Sequence, residues 1–196
     1  MMQVLMKLKL QDIAEIRAGH PFRGSIKESD EGNGYVIQVR DQDELGLIQW
    51  DNLVKTEVVG RKEPEWLQKG DIIFAARGGR NLASHIENLD KPTVCSPHFF
   101  QLRINSDKVL PEFLAWQINQ SLVQRYLLQS AEGTAQVSIK RAVLEQTPLS
   151  IPSLEKQRVL MKLVKSAEQE KQAYQRLIEL RHIELDSIAT QMLNQI

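Results

Sequence analysis

The residues best suited by type to covalent chemistry are Cys95 and His98, three positions apart. A thiol nucleophile needs a base beside the sulfur and donors for an oxyanion, and this spacing alone supplies neither. Phe99 and Phe100 follow at once. The segment therefore reads as a strand carrying a half-buried cysteine, and Cys95 as a packing residue.

Other catalytic chemistries fail on the same ground of spacing. No Gly-x-x-x-x-Gly-Lys-Ser/Thr phosphate loop and no Gly-x-Gly-x-x-Gly fingerprint occurs. A magnesium nuclease of the Asp…Glu-x-Lys type needs a carboxylate two positions before a lysine, and no lysine here has one. The run Ser96-Pro-His-Phe99 lacks the Asn or Asp with which the tetrapeptide of amino-methyltransferases accepts from its target amine. His20, His85, His98 and His182 are scattered singly, and one cysteine makes neither a disulfide nor a multi-cysteine zinc site. The expectation is a protein that is no enzyme and needs no metal or cofactor.

Composition narrows the class further. A chain of 196 residues, 42% hydrophobic, can bury one substantial core with an appendage. No segment approaches the ~18 apolar residues of a membrane span. The start alternates apolar residues with Lys7 and Lys9 and lacks a signal-peptide pattern, so a cytoplasmic protein is expected. Lysine and arginine (25) balance aspartate and glutamate (25). Any nucleic-acid contact must then come from local clusters, with much of the phosphate neutralisation left to a partner.

The elements that would position such clusters follow from period and punctuation. Leu10, Ile13 and Ile16 or Arg17 have helical spacing, ended by Gly19 and Pro21, and 19–34 is a long polar loop. Residues 35–39 and 46–50 predict two strands joined by a turn at 41–44. Residues 70–76 predict a buried strand leading into a loop at 77–81, and 93–95 and 98–104 add strands. Pro111 opens a helix whose stripe is Phe113, Leu114, Trp116, Ile118, Leu122, Val123, Tyr126 and Leu127. A Gly133 break follows, then a short helix over 139–146 capped by Ser138, and an extended link at 151–152. From Ser153 to Leu193 there is no Gly or Pro. That predicts a helix of about 40 residues, roughly 60 Å long. Leu160, Leu163, Ala167, Tyr174, Leu177, Leu185, Ile188 and Met192 recur near heptad spacing, interrupted by Glu170 and Arg181. Such a seam pairs with another long helix, or the helix curves over its own domain.

Six segments, in order, resemble the specificity subunit of type I restriction-modification systems. They are Leu10-x-Asp12-Ile13 with Gly19 and Pro21; Tyr35-Val-Ile-Gln-Val-Arg40-Asp41 with Gly46-Leu-Ile48; and Leu67-Gln-Lys-Gly70-Asp71-Ile72. The remaining three are Pro111-Glu-Phe-Leu114, Thr134-Ala-Gln136-x-Ser138, and Ile151-Pro152 leading to Glu155 and Gln157. Ser153 and Lys156 depart from the family's pattern in the last of these. The resemblance implies an α+β chain. A mixed α/β target-recognition domain over 1–150, with a small twisted sheet and helices, would precede a long coiled-coil spacer and dimerisation helix over 151–196. Full-length members carry two such units, so a single unit would work as a homodimer, clasped by methyltransferase (modification) subunits and through them the restriction subunit. Its partner would be double-stranded DNA.

Base readout needs Arg, Lys, Asn or Gln forks, with hydroxyls and backbone amides on phosphate. Arg77, Arg80 and Asn81 lie in a glycine-containing loop. Gln136, Ser138, Lys140 and Arg141 surround an expected helix start, and His20, Arg23 and Lys27 lie in the first loop. Ordinary solvated surface charge, or a turn and helix cap for Gln136 and Ser138, is the alternative reading of each. For the whole chain the alternative is a non-catalytic coiled-coil module that competes for modification subunits without reading DNA.

Overall fold

The computed structural model describes residues 6–60, 63–130 and 138–194. The chain divides into two compact units, Met1–Leu154 and Glu155–Ile196. The first unit is mixed α+β. Among the described residues its strands are β1 (Met6–Lys9), β2 (Ala14–Ala18), β3 (Gly34–Ile37), β4 (Val54–Thr56), β5 (Ile72–Ala75), β6 (Ala83–His85), β7 (Thr93–Cys95), β8 (Phe99–Ile104) and β9 (Pro148–Ile151). Its helices are α1 (Pro111–Ile118), α2 (Ser121–Gln129) and α3 (Arg141–Glu145). Where the sequence suggested one small sheet, these strands make three: β2-β8-β5-β6, β4-β3-β7 and β1-β9.

The antiparallel sheet β2-β8-β5-β6 is the centre. Ile72, Ile73, Phe74 and Ala75 of β5 are all buried, which is why this strand reads as an unbroken apolar run. Ile73 and Ala75 pack with Ile37, Leu67, Ile86, Cys95 and Phe99, tying this sheet to the one holding β3 and β7. Helix α1 lies beside β6, with Phe113, Leu114 and Ile118 buried. Predicted as one helix, 111–127 is broken after Ile118. There Asn119 turns its side chain to β6, accepting from the Ala83 amide at 2.8 Å and donating to the Ala83 carbonyl at 2.9 Å.

Several local expectations are corrected. Residues 10–17 form no α-helix: a 3-10 turn over Leu10–Asp12 runs into β2. Helical spacing of Leu10, Ile13 and Ile16 came from a turn followed by a strand, and the alternation Ala14 in, Glu15 out, Ile16 in was the better signal. Residues 46–50 are no paired strand; only a bridge Gln42↔Ile48 forms, and β3 pairs with β4 and β7 instead. Ser138 is not the cap of α3, whose N-cap is Lys140. Of the link at 151–152, Ile151 is the last residue of β9, which pairs with β1 from Met6↔Ile151 to Lys9↔Pro148.

Three aspartates of the family-like segments share one device. Asp12, Asp41 and Asp71 each accept, at 2.8 Å, the amide three residues earlier, from Lys9, Gln38 and Gln68 respectively. Each closes a tight turn where the chain enters or leaves a strand. Asp71 also takes two bonds from Arg103 (2.8 and 2.7 Å) and one from Gln101 (2.7 Å). Gly19 instead serves close packing, since a Cβ there would sit 2.0 Å from the Ser96 carbonyl oxygen. Only glycine permits that approach.

The second unit is α4, Leu154–Leu193, of 40 residues. Its Leu163, Tyr174, Leu177, Leu185, Ile188 and Met192 are exposed. Ala167 is exposed as well, and Leu160 is half-buried.

Candidate nucleic-acid interface

Strands β3 and β7 run parallel and end together at Ile37 and Cys95. The segments that follow are stitched to one another by backbone hydrogen bonds. Ser96 donates to the Ile37 carbonyl (2.9 Å), Ala76 to His98 (2.8 Å), Gly19 to Phe99 (2.9 Å) and His20 to Cys95 (2.8 Å). Ile139 donates to Ala76 (2.9 Å), and Arg77 bridges Ser138 in antiparallel register. One edge of the first unit thus gathers residues 18–20, 38–42, 76–81, 96–98 and 138–141. Two loops that lie about sixty residues apart in the chain, at 77–81 and 138–141, become neighbours.

The expected DNA-contacting residues sort clearly on this edge. Arg77 and Arg80 are exposed. Arg80 Nη2 is 2.6 Å from Glu44 Oε1, while Arg77 has no ion-pair partner among the described residues. Lys140 and Arg141 are exposed at the start of α3, where Arg141 holds Glu145 one turn on at 2.7 Å. Ser138 is half-buried beside Arg77. Asn81, by contrast, is an interior residue: it is buried, and its Nδ2 donates to the Ala75 carbonyl at 2.8 Å. His20 is buried too, with a ring nitrogen 3.2 Å from the Val59 carbonyl and its ring steeply inclined to that of Phe22. Arg23 and Lys27 are exposed, but the Lys27 carbonyl takes Thr56 Oγ1 at 2.7 Å, beside the start of β3 and away from Ile37. Gln136 lies outside the described residues.

Two exposed polar side chains on the edge, Arg40 and His98, were not among the expected DNA-contacting residues. Arg40 is exposed in the 3-10 turn Val39–Asp41, and a Cβ on Gly78 would lie 3.2 Å from its neighbour Val39, so the turn abuts the Arg77 loop. His98 is exposed where its carbonyl holds Ala76. A signal existed for Arg40: it stands beside Asp41, whose carboxyl anchors the turn. His98 had none, because its place depends on a register between β5 and β8.

The edge offers hydrogen-bond forks and positive charge but no reactive group. Burial pushes the Cys95 thiol up to about 12, so it is protonated at neutral pH and inert as a nucleophile. Burial also raises the Asp41 carboxyl above its ordinary value. No cluster of metal-ligating side chains occurs among the described residues, and none of their helices is long and apolar enough to cross a membrane.

A family model for the type I restriction modification DNA specificity domain matches residues 4–181. The chain belongs to that family. The type I restriction enzyme MjaVIII specificity subunit of Methanocaldococcus jannaschii is 24% identical over 187 residues, covering 92% of this chain and 42% of that protein. Among solved structures, the type I S subunit from M. genitalium superimposes with a TM-score of 0.60 at 13% identity, over 91% of this chain and 43% of the other. The HsdS subunit from Thermoanaerobacter tengcongensis gives 0.61 at 18% identity, over 88% and 44%. At such identity these likenesses establish the fold of a specificity domain. The chain spans less than half the length of the relatives it matches.

Proposed function

We propose that this specificity-family chain is a non-catalytic DNA reader. Its first 150 residues form a target-recognition domain that reads one half of a split site, and residues 151–196 form the spacer. The observation that carries the reading is the edge where the Arg77–Ser138 bridge joins the two loops beside Arg40. Arg77, Arg80 and Arg40 supply forks for guanine edges or phosphates, and Lys140 and Arg141 supply phosphate contacts. An exposed ion pair such as Arg80–Glu44 is worth about 0–1 kcal/mol. A bidentate arginine–guanine contact is worth about 1–3 kcal/mol of discrimination. Arg80 therefore has reason to leave Glu44 for a base.

The exposed heptad-like face of α4 supports pairing with a second long helix. Two copies would form a homodimer with two-fold symmetry, which favours a palindromic split site. Modification subunits, and through them a restriction subunit, would assemble on that frame in the cytoplasm. The test is site selection from randomised duplexes by the chain with its modification subunit. Arg80→Ala should relax or abolish sequence preference while thermal unfolding stays unchanged; unaltered selection by the variant removes Arg80 from the reading.

A further inference from the structure

The turn at 43–47 stands next to the Arg77 loop and has an unusual surface. Leu45 and Leu47 are 57% and 52% exposed. Turns normally carry polar residues at such positions. Ile48, the next residue, packs on the core cluster, whereas Leu45 and Leu47 are left to solvent.

The turn is also held rigidly. Asp43 Oδ1 accepts the amides of Leu45 and Leu47, both at 2.8 Å. The Asp43 amide donates to Leu47 (2.9 Å) and the Gly46 amide to Asp43 (3.2 Å). The Gly46 carbonyl takes Ser84 Oγ at 2.6 Å, fixing the tip to β6. Gly46 sits at φ +82°, and a Cβ there would come 2.9 Å from the Ala83 carbonyl oxygen. These hydrogen-bonded and steric restraints lock two leucine side chains outward on one small knob. Glu44, between them and the loop, holds Arg80.

We propose that Leu45 and Leu47 are specificity-determining residues that press on the apolar surface of bases, a thymine methyl or an opened base step. The inference rests on the DNA-reading function proposed above. A rigid apolar tip whose Glu44 holds Arg80, on the same edge as Arg40 and Arg77, matches a duplex, whose groove floor is apolar in places and whose rim is anionic. Arginines on phosphate would press the tip inward, and its preorganisation avoids the ordering cost of a flexible loop. The flanking cations favour nucleic acid over an apolar protein partner.

The experiment uses the full chain with its modification subunit, and duplexes selected from a randomised pool by the wild-type complex. Leu45→Ser combined with Leu47→Ser should weaken binding by about tenfold or more, the scale of one leucine withdrawn from an apolar contact. The slope of affinity against salt should stay the same, because no phosphate contact is lost. Arg141→Ala serves as the contrast, since loss of a phosphate-contacting cation lowers that slope. Replacing thymine by deoxyuridine in the selected duplex then locates the contact: weaker wild-type binding places it on methyls, unchanged binding on a base step. Wild-type affinity and unchanged selection by the leucine variant, in a complex that does bind DNA, overturn the proposal alone. Normal DNA binding with loss of the modification subunit assigns the tip to a protein and likewise overturns it. If the wild-type complex binds no duplex at any salt, the DNA-reading function falls, and this inference with it.

Discussion

Replacing Asp71 by alanine is the sharpest test of how the recognition unit is held together. The Asp71 carboxylate is buried and accepts four hydrogen bonds, from the Gln68 amide, Gln101 Nε2 and two nitrogens of Arg103. Its loss strands Gln101, which is 1% exposed, with no acceptor; a buried unsatisfied donor costs about 1–3 kcal/mol. Removing one partner of a buried ion pair costs about 3–5 kcal/mol. The Arg103 side chain keeps 27% of its surface, so water recovers part of its loss. The net expectation is about 3 kcal/mol, a large fraction of the roughly 5–15 kcal/mol that holds a typical protein folded. Urea unfolding, followed by tryptophan fluorescence, should show a lower midpoint with unchanged slope. Trp66 is well placed to report, since its carbonyl accepts from Arg103 Nη2 at 3.2 Å. Melting should drop by about 6–12 °C for a chain of this size. A double-mutant cycle with Arg103→Ala should return a coupling of about 1–3 kcal/mol. A loss below about 0.5 kcal/mol, the scale of an ordinary surface substitution, or a coupling near zero, would refute the role given to this aspartate.

Other outcomes follow from the same structure. Gly19→Ala should destabilise by at least about 2 kcal/mol, because the added carbon meets the Ser96 carbonyl; unfolding midpoints read this directly. Cys95 should resist iodoacetamide in the folded protein and react once it is unfolded; rapid native labelling would contradict its burial. The Asp41 carboxyl titrates above its ordinary value of 3.8, so the unfolded chain releases that proton first and stability falls as pH rises through this window. Asp41→Asn keeps an acceptor for Gln38 and removes that fall, so the stability difference between variant and wild type should grow from acid toward neutral pH. Deleting residues 160–196 should abolish self-association in sedimentation, and a truncated chain that still pairs would exclude α4 as the seam.

The long helix and the β5 strand were legible because each is a local pattern: forty residues without Gly or Pro, and an apolar run after Gly70-Asp71. Family-like motifs were legible as well, but their meaning was not. The aspartates at 12, 41 and 71 could be seen as recurrent, yet that each caps a turn three residues back required coordinates. Strands β1 and β9 are four residues long and exist only through each other, Met6 pairing with Ile151 and Lys9 with Pro148. Asn81 illustrates the limit for sites. Its neighbour Arg80 is exposed, but Asn81 itself satisfies the Ala75 carbonyl inside the loop, a choice that no spacing rule foretells. His98 was hidden because a non-local backbone bond, its carbonyl to the Ala76 amide, and not sequence proximity, brings it to the edge.

Selection from randomised duplexes by the wild-type chain with its modification subunit tests DNA reading itself. A short half-site, repeated as a palindrome across a fixed spacer, should be enriched, with Arg77→Ala and Arg80→Ala each blurring particular positions. A complex that assembles fully, binds duplexes and yet enriches no sequence would contradict that reading.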